Sequence, residues 1–65
     1  MITINRDGYI CEMYIRGKEI TVDVYERRWL FFRTFKFSST FDWNEEIKLT
    51  DYAKRAIELV LFHYS

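Results

Sequence analysis

The first forty residues alternate hydrophobic and polar positions with a period of two, which is typical of strands in a sheet with one buried face. The clearest alternation runs through residues 19–26, where Ile20, Val22 and Val24 fall on one face. In residues 9–16 one face collects the hydrophobic side chains, namely Tyr9, Cys11, Met13 and Ile15. The pattern predicts strands at about 1–5, 9–16, 19–26 and 29–37, with the faces named here in the core.

Two turn signals separate the first three of these strands. Asp7-Gly8 is a pair that tolerates positive φ in a tight hairpin, and Gly17 has the same role before the third strand. Consecutive strands joined by such short turns pair antiparallel. The sequence therefore predicts two successive hairpins.

Residues 29–37 are harder to orient, because neither face of this segment is plainly polar. We expect Phe31, Phe35 and Phe37 to point into the core. Ser38 to Thr40 is predicted to be a polar link, and residues 41–46 are predicted to form either a loop or a helical turn. Asp42 and Glu45 have the spacing of a capping box, although Ser or Thr is usual at its first position.

The carboxyl end predicts a helix over about 51–64, with Thr50 as its N-cap and Asp51 at the positive end of the helix dipole. Its hydrophobic positions form a broad stripe that includes Leu61, His63 and Tyr64, while Phe62 falls among the polar positions. The fold class that we expect is α+β: one domain spanning 1–65, with three to four antiparallel strands packed by one C-terminal helix.

Composition narrows the functional classes. The 65 residues are 49% hydrophobic and 20% aromatic, and ten basic residues balance ten acidic ones. Zero net charge removes the global basic field that drives nonspecific nucleic-acid or membrane attachment. One cysteine cannot form an internal disulfide, and no hydrophobic run, Leu59 to Phe62 included, is longer than four residues, so we expect a cytoplasmic protein with no membrane contact.

No arrangement of residues predicts catalysis or a cofactor. The only imidazole, His63, lies near the chain end, and Cys11 is expected in the core. One His and one Cys cannot build a zinc site alone, and two glycines cannot build a phosphate-cradling loop. Glu12 and Asp23 share the outer face of the predicted sheet, where polar residues are ordinary. We therefore expect a protein that is not an enzyme and holds neither metal nor cofactor.

The outer sheet face carries the clearest functional signal. It combines aromatic and arginine side chains, which are enriched at protein interfaces and also stack and hold single-stranded nucleic acids. The expected partner-binding residues are Tyr14, Arg16, Tyr25, Arg27, Arg28, Trp29 and Arg33. The alternative without a partner is that these side chains form cross-strand pairs that stabilise a thin sheet.

Two further surfaces are candidates for contacts. The segment with the acidic cluster is predicted to be solvated or to face a partner or, as a weaker alternative, to hold a divalent ion; its residues are Asp42, Trp43, Glu45 and Glu46. The helix end carries Leu61, Phe62 and Tyr64 on more than one side, which predicts a homodimer contact or a partner groove. The alternative is a singly exposed Phe62, which is ordinary on a protein surface.

The leading functional hypothesis is a small protein-binding module that occupies the surface of a larger protein partner. Short chains with few cysteines and this layout resemble the inhibitors that phages and mobile elements make against host machinery, including anti-CRISPR proteins. This resemblance covers size and layout and transfers no functional residue. The second hypothesis is single-stranded nucleic-acid binding, with Tyr14, Tyr25 and Trp29 stacking on bases and the arginines on phosphates.

Overall fold

The computed structural model of the chain describes residues 1–29 and 32–64. In this part of the chain, four strands form one antiparallel sheet in sequence order, and one helix covers one of its faces. The elements are β1 (Ile2–Arg6), β2 (Tyr9–Arg16), β3 (Glu19–Trp29), β4 (Phe32–Asp42) and α1 (Leu49–Tyr64). The predicted α+β class and the C-terminal helix are confirmed.

The two predicted hairpin turns are present, and their backbone angles explain the residue choice. Asp7 and Gly8 have φ values of 52° and 82°, the positive pair that a tight two-residue hairpin requires. Gly17 has a φ of 62° between β2 and β3. Asp and Gly accept these angles at little steric cost, so the register of β1 to β3 follows from local sequence.

The core lies between the sheet and the helix and contains most of the residues that the alternation predicts to be buried. Its strand residues are Cys11, Met13, Ile20, Val22 and Val24. The helix contributes Tyr52, Ala53, Ala56, Ile57 and Val60. Ala53 and Ala56 are small and fully buried, which lets the helix approach the sheet closely. All ten of these residues are at most 4% exposed, so this part of the inner face is tightly covered.

One residue that the alternation assigns to the core lies outside it. Ile15 is 43% exposed, because it stands near the end of β2 beside the Gly17 turn. Tyr9, at the other end of the same strand, is partly buried and packs against the core. The alternation therefore gives the correct face of β2, and the ends of the strand are covered less completely than its middle.

The predicted boundaries of the last two strands are wrong. Trp29 ends β3 and does not begin β4, and β4 continues through the expected link to Asp42. Ser38 and Thr40 are joined to β3 by their side-chain hydroxyls. The Ser38 hydroxyl donates to Asp23 Oδ1 at 2.6 Å, and the Thr40 and Thr21 hydroxyls lie 3.3 Å apart. These cross-strand contacts come from β3, which lies far away in sequence, and they override the weak strand propensity of serine.

A β-bulge in β4 explains why the prediction for Phe35 is wrong. Val24 pairs with Phe37, but the next residue, Tyr25, pairs with Phe35, so Lys36 is an extra residue in the strand. Phe37 therefore faces inward and packs against the core, as predicted, whereas Phe35 faces outward. Phe31, the third phenylalanine expected inside, lies outside the described residues.

The connection between β4 and α1 is a turn. The Glu46 N–H donates to Asn44 Oδ1 at 2.9 Å, and the Ile47 N–H donates to the Asn44 carbonyl at 3.0 Å. The helix then begins at Leu49, so Thr50 lies inside its first turn and is not the predicted N-cap. Asp51 does lie in the first turn, where the helix dipole favours a carboxylate.

Candidate binding surface

The centre of the outer sheet face is a hydrogen-bonded polar cluster. Glu12 and Asp23 are direct cross-strand partners on β2 and β3. The Tyr14 hydroxyl donates to Asp23 Oδ2, while the Ser38 hydroxyl donates to Asp23 Oδ1. Asp23 is therefore held from both sides, by residues of β2 and β4. Its bond to the Tyr14 hydroxyl raises the pKa of Tyr14 to about 12.

Tyr25 is built into this face and is not a free stacking platform. The Arg33 guanidinium lies 4.2 Å from the centre of the Tyr25 ring, and the Phe35 ring meets it edge-on with centroids 5.5 Å apart. Arg33 also forms an ion pair with Glu12 at 3.2 Å. Burial and the nearby Glu12 carboxylate raise the pKa of the half-buried Tyr25. One face of its ring is thus occupied by a residue of its own sheet.

Exposed aromatic side chains lie at the end of the sheet where β3 ends and β4 begins. Trp29 and Phe32 are cross-strand partners and are 68% and 65% exposed, and the nearby Phe35 is 54% exposed. We call this region the hairpin end and define it by Arg27, Arg28, Trp29, Phe32 and Phe35. Single exposed aromatics are common, but three in one region are a candidate contact surface.

The cations of the hairpin end are incompletely neutralised. Arg28 and Lys36 both approach the same carboxylate oxygen of Glu26, at 3.3 and 3.8 Å. Arg28 also donates to the Thr34 hydroxyl at 3.2 Å. Arg27 has no ion pair among residues 1–29 and 32–64. Two cations share one carboxylate and Arg27 has none within the described ranges, so the charge of Arg27, Arg28, Lys36 and Glu26 together is positive.

The structure divides the predicted outer-face residues into two groups. Arg27, Arg28 and Trp29 belong to the hairpin end, while Tyr14, Tyr25 and Arg33 belong to the bonded central face. Arg16 pairs with Glu19, whose other partner is Asp42, so Arg16 and Asp42 lie at the opposite end of the sheet. Sequence reasoning missed Phe32 and Phe35. The departure from strict alternation in residues 29–37 was the available signal, since an irregular pattern is what a bulge produces.

The acidic segment after β4 is tied to the core through its tryptophan. Trp43 is half-buried with its ring centroid 5.8 Å from that of Tyr52, and its backbone N–H donates to the Lys18 carbonyl at 2.8 Å. Asp42, Glu45 and Glu46 are exposed. Trp43 therefore packs against the helix, and the exposed part of this segment consists mainly of carboxylates.

The last turn of the helix extends beyond the tightly packed core. Leu61, Phe62, His63 and Tyr64 are all exposed, Phe62 to 78%, so the predicted hydrophobic stripe stops being buried after Val60. The turn is nevertheless attached to β4. The His63 ring lies 4.9 Å from the Phe37 ring, and the Tyr64 hydroxyl donates to the Lys36 carbonyl at 2.9 Å.

A cleft of about 220 Å³ lies beside this last helical turn. Its charged residues are Glu26 and Lys36, which pair with each other, and Lys36 also lies 5.2 Å from the centre of the Tyr64 ring. Cys11 lies in the core with no exposed surface, and its burial raises the pKa of the thiol to about 11. Within the described ranges, no group of three His, Cys, Asp or Glu side chains could hold a metal ion.

Comparisons of the chain with protein-family models, with curated proteins and with solved structures found no match. None of the helical residues that the structure describes belongs to a helix long and apolar enough to cross a membrane.

Proposed function

We propose that this chain is a non-enzymatic binding module that occupies the surface of a larger protein through its hairpin end. The occupant that fits is a protein surface with carboxylates beside hydrophobic groups. The observation that carries the proposal is the exposed cross-strand pair of Trp29 and Phe32 at the end of a hairpin that also carries the exposed Arg27, Arg28 and Phe35. Trp and Arg are among the residues most enriched at the energetic centres of protein interfaces, and hydrophobic partner groups would cover the rings.

Charge complementarity supports an acidic partner. Arg27 has no ion pair among the described residues, and Arg28 shares Glu26 with Lys36. A carboxylate placed beside Arg27 gains a partner without displacing an existing ion pair. The proposed mode of action is stoichiometric: one copy of the chain covers one site on its partner and keeps other molecules from binding there. In size and layout it resembles the inhibitors that phages or mobile elements encode against host machinery, and inhibition of a host protein is the role that we propose.

Single-stranded nucleic acid is the rival occupant, and the central face argues against it. Glu12 and Asp23 lie in the middle of the face that bases and phosphates would cover, and two carboxylates repel a phosphate backbone. Tyr25 is already covered by Arg33, and the Tyr14 hydroxyl is bound to Asp23. A reader of single strands needs exposed ring faces along a positively charged groove.

The test is affinity capture from host cells followed by reconstitution with the purified candidate. The variant R27A/W29A removes one cation and one aromatic ring from the hairpin end. The matched control K54A/F62A removes the same two chemistries from the helix, where both residues are exposed. A true partner binds the wild type and the control in a fixed ratio, and its affinity for R27A/W29A falls at least tenfold.

Two results would overturn the proposal. One is a reconstituted partner that binds R27A/W29A as tightly as it binds the wild type. The other is binding of fluorescently labelled single-stranded oligonucleotides with an affinity that drops steeply between about 50 and 200 mM salt, which is the signature of phosphate neutralisation. A hot-spot protein interface changes mainly its association rate over that range.

A further inference from the structure

The outer edge of β4 has a defined hydrogen-bonding polarity. The Trp43 N–H donates to the Lys18 carbonyl next to the Glu19–Asp42 pair, which sets the alternation along the ladder. In an antiparallel pair, every second residue directs its N–H and C=O to the neighbouring strand. Residues 37, 39 and 41 therefore bond to β3, while the backbone groups of Ser38, Thr40 and Asp42 point away from the sheet.

Two tyrosine hydroxyls bond to backbone carbonyls of β4 and so mark the limits of the segment whose outward backbone groups have no partner in the described part of the chain. Tyr64 donates to the Lys36 carbonyl at 2.9 Å, and Tyr52 donates to the Asp42 carbonyl at 3.0 Å. Between them, the outward backbone groups of Ser38 and Thr40 have no hydrogen bond to any residue of 1–29 or 32–64. Residues 37–41 carry neither a charge nor a proline, the usual protections of an edge strand.

We propose that a second copy of this chain pairs with this edge, antiparallel and with the two-fold axis at Ser39. In that register Ser38 of each copy faces Thr40 of the other, and each such pair exchanges both backbone hydrogen bonds. Phe37 faces the second copy's Phe41 on the helix side of the sheet. The result is one continuous sheet across the dimer, with both helices on the same face.

The register follows from the faces of β4. Phe37, Ser39 and Phe41 pair with the buried Val24, Val22 and Ile20, so they share the inner face, and Ser38 and Thr40 share the outer one. A pairing centred on Ser39 keeps every side chain on its own face, whereas a shift by one residue would mix the two faces. Aromatic pairs and hydroxyl pairs are both favourable directly across a ladder.

Ser39 supplies an independent observation. Its hydroxyl oxygen is buried and has no hydrogen-bond partner among the described residues. At the axis, Ser39 would face its own copy in a non-hydrogen-bonded pair, where opposite Cα atoms are only about 4.5 Å apart. Because the oxygen is covered within the monomer, each hydroxyl donates to or accepts from the other only after the Ser39 side chain changes its rotamer. The dimer thus satisfies a polar group that the monomer leaves unpaired.

The edge of β4 pairs better with β4 of the second copy than with β1 of the second copy. β1 spans five residues and includes the charged Arg6. A β1-to-β4 contact would not close and would build filaments, whereas the two-fold contact closes at a dimer. The Lys36 bulge ends the regular part of the β4 edge. This inference is independent of the proposed function, because the hairpin end lies beyond the bulge.

Two charge variants at the same positions test both the dimer and its register. In each, Ser38→Lys places an ammonium beside Asp23, so the local environment of residue 38 is the same. S38K/T40E places the new lysine of each copy opposite the new glutamate of the other and should retain the dimer. S38K/T40K places two lysines opposite each other and should give the monomer mass at every concentration in multi-angle light scattering. Urea unfolding of both variants checks that each one folds.

A covalent readout uses Ser39→Cys, since a Cα separation near 4.5 Å lies within the range that a disulfide accepts. With oxidised glutathione, S39C should form a disulfide-linked dimer on a nonreducing gel. The natural Cys11 lies in the core on β2, away from the β4 edge, so only the new thiol lies at the proposed two-fold axis. Thr3→Cys is the control: it lies exposed on β1, the opposite edge, and should not give a dimer.

Several outcomes would overturn the dimer. They are a wild type that stays monomeric at every concentration, equal masses for S38K/T40K and S38K/T40E, or more rapid cross-linking of the T3C variant than of the S39C variant. A further one concerns the helix end, the other candidate dimer surface. If Phe62→Glu abolishes the dimer while S38K/T40K leaves it intact, the contact is made by the helix and not by β4.

Discussion

The guanidinium carbon of Arg33 lies 4.2 Å from the centre of the Tyr25 ring, and the same Arg33 forms an ion pair with Glu12. One arginine of β4 thus connects an aromatic ring of β3 to a carboxylate of β2. Aromatic and arginine side chains on the centre of this face stabilise the sheet, whereas those at the hairpin end remain exposed. The two groups should respond differently to substitution.

Tyr25→Ala is expected to lower the free energy of unfolding by about 1–2 kcal/mol, since it removes an edge-on aromatic pair and a cation–π contact. Trp29→Ala removes a ring that is 68% exposed, and should change the stability by no more than about 0.5 kcal/mol. Urea unfolding followed by circular dichroism measures both. Equal losses in the two variants would mean that Trp29 is also structural.

Tyr52→Phe should destabilise the fold by about 1–3 kcal/mol, because two backbone groups lose their partner. The Tyr52 hydroxyl accepts from the Asn44 N–H at 2.9 Å and donates to the Asp42 carbonyl at 3.0 Å, in a partly buried site. Tyr64→Phe is the matched control, since it removes one hydroxyl from an exposed site where water can replace it. The same unfolding assay should show a smaller loss for Tyr64→Phe than for Tyr52→Phe.

Ser39→Ala should stabilise the monomer by up to about 1 kcal/mol, because it removes a buried hydroxyl that has no partner within the described chain. Thermal unfolding of dilute protein measures this as a rise in melting temperature. The S38K/T40K background provides the control, since it prevents edge pairing. A lower melting temperature for Ser39→Ala in that background would show that the hydroxyl is satisfied within the monomer.

The Tyr14–Asp23 hydrogen bond predicts a loss of stability at high pH. The pKa of Tyr14 is raised from 10.0 to about 12, mainly by this bond, so the folded chain holds the phenolic proton more tightly than the unfolded chain does. The stabilisation is complete below pH 10 and is lost as the pH rises towards 12. The stability of Tyr14→Phe should fall less steeply with pH over this range.

The absorbance of tyrosinate checks the same prediction in the folded protein. Wild type should show one tyrosine that ionises near pH 12 and that Tyr14→Phe lacks. If the two proteins give the same titration curve, Tyr14 does not donate this bond in solution.

The hairpins between β1 and β3 show what local sequence can predict. Asp7, Gly8 and Gly17 adopt positive φ values that few other residues accept, and the alternation between them assigns one face to the core. Each of these signals acts over a few residues. The first three strands, their turns and most of the buried set of β2 and β3 were therefore predictable.

The fourth strand shows where local reasoning stops. The extra residue at Lys36 reverses the alternation, so Phe35 and Phe37 lie on opposite faces although they are two residues apart. A bulge is a property of the pairing between β3 and β4, so an irregular pattern indicates one without showing which residue is the extra one. In the same way, Trp43 is placed by its contact with Tyr52, which belongs to the helix.

The sequence by itself determined the class of fold, the two early turns and most of the core, because hydrophobic periodicity and positive-φ residues act locally. Only the tertiary structure decided which aromatic side chains remain exposed. That choice depends on a bulge, on where the helix stops covering the sheet and on side-chain hydrogen bonds between neighbouring strands. For this reason the composition showed that the chain is rich in aromatic residues. It did not show that some of them lie exposed at the hairpin end, or that, within the described residues, the edge of β4 at Ser38 and Thr40 has unpaired backbone groups.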